Sequence, residues 1–158
     1  KGYKVIKYND QRVLVINALG RTFFNLSLEN PFTQIKEVIE NVPHDYSIVD
    51  FHAEATSEKV ALGHYFDGLA SAVIGTHTHI QTADERVLPK GTLYITDVGM
   101  TGPLNGIIGV DKDLIISRFL NGISGPNVVA DGPTWLNAVL LDFSAKEPTI
   151  ERITIYGE

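Results

Sequence analysis

Cysteine is absent from the 158 residues. Disulfides and thiolate metal ligands are therefore excluded, and the redox compartment leaves no mark on the chain. Long apolar runs are missing as well: none approaches the roughly 20 residues that a membrane-spanning helix needs. No signal peptide is visible. A block of Lys and Arg is also lacking, and 13 basic against 19 acidic residues give a net charge of −6. That excludes the electrostatic footprint of a dedicated nucleic-acid surface. A small nucleotide held through a metal ion stays compatible, because the ion supplies positive charge locally. The expectation is a cytoplasmic protein with no membrane partner. Repeats, linkers and low-complexity tracts are absent, and 44% hydrophobic residues suffice for a real core. The chain opens at Lys1, not Met, and its first residues already read as a strand. This predicts that the polypeptide begins upstream.

What is present starts with two β-rich runs, Tyr3 to Tyr8 and Arg12 to Ile16, split by Asn9-Asp10-Gln11 and therefore a hairpin. Asn17 to Asn30 reads as loop; Arg21 within it fits a surface salt bridge better than a phosphate contact. Asn30-Pro31 caps and opens a helix with Phe32, Ile35, Val38 and Ile39 at helical spacing. A strand from Ser47 to Phe51 follows. Thr56 or Ser57 then caps a second helix, with Val60, Ala61, His64 and Tyr65 near one face. A third apolar run, Ala70 to Ile74, makes the order strand, helix, strand. This is a βαβ unit whose two strands run parallel and end on the same sheet edge. Downstream, Arg86 to Leu88 and Thr92 to Thr96 read as short strands. The glycine-rich stretch Asp97 to Gly106 reads as a connection, neither a Walker A loop nor a dinucleotide fingerprint. Asp111 caps a helix from Lys112 to Phe119, and Val128 to Asp131, Trp135 to Phe143 and Thr149 to Tyr156 read as strands.

The chemistry concentrates where the two parallel strands end. The first run leads into His52. The second is ended by Gly75 and followed by His77 and His79 with one residue between them. In extended backbone, residues two apart point to the same side, so both imidazoles could face one point. Neutral imidazole is a borderline ligand suited to zinc, iron, manganese or nickel. A His-x-His pair alone is explained as well by a polar turn, and His52 alone by packing. Two strand ends of the same design carry the metal interpretation. His44, in a connecting loop, and His64, mid-helix beside Tyr65, have no such company.

Three segments together resemble one family. They are Val49-Asp50-Phe51-His52-Ala53-Glu54-Ala55-Thr56-Ser57-Glu58-Lys59, then Gly75-Thr76-His77-Thr78-His79-Ile80-Gln81-Thr82-Ala83-Asp84, then Thr96-Asp97-Val98-Gly99-Met100-Thr101-Gly102-Pro103, with Asn17-Ala18-Leu19-Gly20-Arg21-Thr22-Phe23 in support. The family is that of the bacterial YmdB-type metallophosphoesterases, a branch of the calcineurin-like superfamily. The resemblance implies an α/β fold that is part of a four-layer αββα sandwich with mixed sheets. It implies two divalent or transition metal ions, iron, manganese or zinc, with His52 and His77 on one and His79 on the other. The implied reaction is hydrolysis of phosphodiesters, cyclic nucleotides included, by a hydroxide shared between the metals.

Glu54 and Asp97 are then candidates to accept the non-ligating N–H of a histidine and fix its tautomer. Thr78 is a further candidate for supporting a ligand or touching substrate. The family's amino-terminal motifs, with an Asp, a bridging Glu, an Asn and a catalytic His, do not occur here. Residues 1–158 therefore resemble only the carboxyl-terminal half of one domain. No catalytic residue is identifiable among them, and the chain alone is expected to be inactive.

The expected partner is a small phosphodiester or nucleotide, with self-association left open. Two other classes stay in view. A non-catalytic metal-binding regulatory module would bind metal without hydrolysis. A metal-dependent enzyme of capsule or polymer synthesis shares a Gly-x-His-x-His turn, but the Glu54 to Lys59 and Asp97 to Pro103 segments argue against it.

Overall fold

The computed structural model describes residues 2–123, 125–144 and 146–158. Asn9 and Asp10 take φ values of 46° and 61°, the pair of positive angles that a two-residue type I′ turn demands. They join β1 (Tyr3–Tyr8) to β2 (Gln11–Leu19) as an antiparallel hairpin. The strand β2 runs on to Leu19, into the region expected to be loop. The Asn30 side chain accepts from the Phe32 N–H at the start of α1 (Pro31–Asn41). Next come β3 (Tyr46–His52), α2 (Thr56–Tyr65) and β4 (Ala72–Thr76), with β3 and β4 parallel as the βαβ pattern requires.

Gly75 does not end β4, which continues through Thr76. It is needed for a different reason: a Cβ there would lie 1.8 Å from the Thr96 carbonyl oxygen. Two backbones pass at that point, and only glycine leaves room.

The strands β5 (Arg86–Val87) and β6 (Leu93–Ile95) complete a six-stranded mixed sheet of order β1-β2-β3-β4-β6-β5. The glycine-rich stretch, expected to be a connection, contains β7 (Thr101–Pro103). Asp111 caps α3 (Lys112–Asn121), accepting from the Leu114 N–H. A second, antiparallel sheet is made of β7, β8 (Thr134–Asp142) and β9 (Thr149–Gly157). Residues 128–131 form no strand; Val129 makes an isolated bridge to Val110. Among the described residues no helix is long and apolar enough to cross a membrane.

One face of the large sheet carries the core. Leu14, Ile16, Val49, Phe51 and Val73 meet Ile35 of α1 and Leu62 of α2. The buried face of α2 is Lys59, Leu62 and Gly63, whereas Ala61, His64 and Tyr65 are exposed. The helix is thus rotated from the expected face. Its cap also differs, since Ala55 holds that place without a side-chain bond. Alternation sends Asn17, Asp50, His52 and Thr76 to the opposite face, where the register Asn17↔Asp50 and His52↔Thr76 lines them up.

Candidate functional site

That polar row fixes one histidine. Asn17 Nδ2 donates to Asp50 Oδ2 at 2.8 Å, and the Thr76 hydroxyl donates to Asp50 Oδ1 at 3.1 Å. A hydroxyl has one proton, so the 3.1 Å contact of Thr76 Oγ1 with His52 Nδ1 has the imidazole donating. His52 therefore carries its proton on Nδ1 and a lone pair on Nε2. A carboxylate fixes the other ring. His77 Nε2 rests on the Glu54 carboxylate, which when ionised can only accept. The proton is on Nε2 and the lone pair on Nδ1.

The two lone pairs face each other: His77 Nδ1 is 3.1 Å from His52 Nε2, with ring centroids 4.9 Å apart. Two acceptors cannot bond to one another, so this gap is built for a positive species, a proton or a metal ion. An ion at the usual ~2.0–2.1 Å from imidazole nitrogen would be held at an N–ion–N angle of roughly 100°. The pair fits a metal. Burial, then the neighbouring His77, pushes the His52 pKa below its ordinary value against the pull of Asp50, which favours the neutral, ligating form.

Phe24, not singled out in the sequence, walls the pair. Its ring stacks on His52 at 6.3 Å and meets His77 edge-on at 5.6 Å. The loop that brings it there is tied at three points. Gly20 N donates to the His52 carbonyl at 2.9 Å, and Arg21 N and Thr22 N donate to the Glu58 carboxylate at 2.9 and 3.1 Å. The two-aromatic run Phe23-Phe24 between a strand and a helix was the available signal. Arg21 itself is exposed and makes no ion pair among the described residues.

The His77–His79 turn departs from the expected extended backbone. His77 has φ 126° and His79 φ 65°, so the side-to-side alternation of extended chain does not hold there. His79 Nδ1 instead lies 3.4 Å from the Ile108 carbonyl. The pair implied for one ion meets, and the contact of the histidine implied for the other is with Ile108. Among the described residues no three His, Asp or Glu side chains gather as a ligand set.

Glu54 occupies the expected tautomer-fixing position, but Asp97 touches no imidazole. Its carboxylate accepts from Thr78 N at 2.9 Å, from Gly99 N at 3.0 Å and from Lys59 Nζ at 2.9 Å. Burial alone would raise the Asp97 pKa; the donors around it, Lys59 foremost and then Thr78 and Gly99, outweigh it and hold the group below its ordinary value. The Thr78 hydroxyl turns to the Ile80 carbonyl at 3.3 Å. His44 bonds the Val42 carbonyl, and His64 is exposed on α2. Both lie outside the site.

The family model described as YmdB-like protein matches residues 1–155. The chain belongs to the YmdB-like family. A relative from Bacillus subtilis (strain 168), named 2′,3′-cyclic-nucleotide 2′-phosphodiesterase, is 52% identical over 160 residues, which cover 98% of this chain and 60% of that protein. The YmdB-like fold also matches two solved structures. A hypothetical protein from Thermus thermophilus superposes with TM-score 0.94 at 42% identity, covering all of this chain and 63% of the other. A phosphatase from Mycoplasma pneumoniae superposes with TM-score 0.89 at 39% identity, covering all of this chain and 58% of the other. This YmdB-like chain thus spans about 60% of the length of the curated relative from B. subtilis.

Proposed function

We propose that residues 1–158 are the histidine-bearing, carboxyl-terminal part of a metal-dependent phosphodiesterase domain acting on small cyclic nucleotides. The observation that carries this is the pair of lone pairs, His52 Nε2 and His77 Nδ1, held 3.1 Å apart by partners on their other nitrogens. A site designed only for packing would have satisfied them. The relative named as a cyclic-nucleotide phosphodiesterase supports the substrate class.

When bound, divalent metal supplies Lewis-acid stabilisation of the charge that develops on phosphoryl and attacking oxygens. The residues of this chain prepare that place. The Asn17–Asp50–Thr76 row orients His52, Glu54 orients His77, and Phe24 excludes water from one side of the rings. His79 serves a second ion in this reading, with Thr78 as the residue between the two positions. The remaining ligands and the histidine that protonates the leaving oxygen come from outside residues 1–158, so this stretch alone does not turn over.

The test is His77→Ala in the intact protein. His77 sits beyond the apolar part of β4, so folding is expected to persist. Hydrolysis of a 2′,3′-cyclic nucleotide should fall by more than the roughly 10–100-fold typical of losing an outer partner of a ligand. Normal turnover by the folded, metal-supplied variant would sink the assignment. Metal binding by the wild-type protein without any hydrolysis would favour the regulatory module instead.

A further inference from the structure

Glu58 and Lys59 are consecutive in the first turn of α2 and reach in different directions. Glu58 accepts the N–H groups of Arg21 and Thr22 and so sets the loop that seats Phe24 on His52. Lys59 is 1% exposed and Asp97 0%, and their 2.9 Å ion pair lies under the His77–His79 turn. The Lys59 stem reaches it beside Gly75, where an added Cβ would be 3.1 Å from Lys59 Cδ. Asp97 Oδ2 accepts from both Lys59 and Thr78 N, so the ammonium and the peptide that follows His77 share one oxygen.

We propose that this turn of α2 is the positioning element of the histidine pair, one arm holding the ring wall and the other the backbone of His77. The proposal rests on the pair being a cation site and names residues that touch neither substrate nor ion. Its physical basis is the His77 φ of 126°. A non-glycine residue keeps such an angle only where its surroundings over-determine it. The fixed Thr78 N–H is that constraint, and it depends on a carboxylate kept ionised in a dry place by Lys59. Without the ammonium, Asp97 takes up a proton or draws in water. His77 then relaxes, and Nδ1 leaves its place opposite His52 Nε2.

A merely structural Lys59 would stabilise the helix and nothing more. Three variants of the full-length protein separate the two roles, with Co²⁺ titration and metal-free NMR of the imidazole N–H protons as readouts. Lys59→Met keeps the stem but removes the charge. Leu62→Ala weakens the same helix from its fully buried face without touching the brace. Glu58→Ala cuts the other arm at a half-buried residue where folding is not at risk.

Lys59→Met is expected to lose at least ~10-fold in Co²⁺ affinity and the protected Nε2–H signal of His77. Leu62→Ala should keep both. Glu58→Ala should weaken Co²⁺ several-fold and abolish the ring-current shift of Phe24 on His52. The proposal is overturned if folded Lys59→Met matches wild type in both readouts, or if Leu62→Ala loses as much. Should Lys59→Met fail to fold, unchanged His52 shifts and Co²⁺ affinity in Glu58→Ala overturn it. Wild-type protein that bound no Co²⁺ would count against the cation site, while the imidazole signals would still decide the brace.

Discussion

The two sheets differ in what holds them. In the six-stranded sheet one face of β2 and β3 and most of β4 and β6 are buried, and nearly all the apolar core lies against them. In the three-stranded sheet β8 and β9 are longer, nine residues each and paired along their whole length. Yet among the described residues of β7, β8 and β9 only Asn137 is buried.

Polar ties attach the smaller sheet to the rest. Gln81 Nε2 donates to the Ala138 carbonyl at 2.9 Å, Asn137 Nδ2 to the Met100 carbonyl at 3.1 Å, and Arg152 pairs with Glu85 at 2.7 Å. Tyr46 stacks on Phe143 with centroids 4.9 Å apart. Ladder length is therefore a poor guide to stability here; what the ladder buries decides it. The histidine pair is delivered by the well-buried sheet, as a precise site requires.

Removing one large apolar side chain from each sheet should separate the two most widely. Phe51→Ala, at a residue 1% exposed and adjacent to His52, should cost about 3–5 kcal/mol. Leu140→Ala, 53% exposed on β8, should stay within about 0.5 kcal/mol, as surface substitutions do. Denaturant midpoints measure both. Equal losses would show that the smaller sheet owns a core after all.

Acid provides the next contrast. Asp97 and Asp84, bonded beside the larger sheet, both titrate below the ordinary 3.8. The unfolded chain takes up those protons first, so this stability is present above about pH 4 and is lost as pH falls through the folded values. His52, also held low, has an ordinary value of 6.5. It adds an earlier loss that begins as pH drops below 6.5 and is complete below its folded value. Asp97→Asn should flatten the pH dependence of the midpoint below about pH 4. An unchanged acid limb would remove Asp97 from the account.

The smallest effect concerns the caps. Asn30→Ala and Asp111→Ala each delete a side-chain acceptor at a helix start, worth about 1 kcal/mol. For α1, which contributes Ile35 to the core, the loss should appear in global stability. For α3, which buries no residue, it should appear only as faster amide exchange within that helix. A global loss from Asp111→Ala would mean that α3 is better packed than its exposure indicates.

Much of the larger sheet was legible because its signals are local. Asn9-Asp10 marks a turn, Asn30-Pro31 marks a helix start, and two apolar runs flanking a helix imply parallel strands. The meeting of His52 with His77 followed from that topology alone. What escaped depends on tertiary contact. Gly102 and Pro103 both argue against a strand; residues 101–103 become one by pairing with residues 134–136. Nothing local marks Lys59 for burial, since a lysine is ordinarily exposed; its encounter with Asp97 places it on the buried face of α2. The turn at His77 and His79 was hidden in backbone angles, since a period of two holds only while the chain stays extended. Phe24 was hidden because a loop aromatic shows its target only when the loop's anchors are known.

Gly75 has a consequence for how this protein can vary. Every missense change of a glycine codon adds at least a Cβ, and here that atom would come within 1.8 Å of a backbone oxygen that no rotamer change can move aside. The position is closed to substitution by chemistry of any kind, charged or apolar, large or small. A lineage carrying this fold can change Phe24, Glu58 or even a histidine by single steps and test the result. At position 75 no such step exists, because displacing Thr96 also displaces Asp97 and the peptide it holds next to His77. The histidine turn therefore inherits its place from a residue that contributes no side chain.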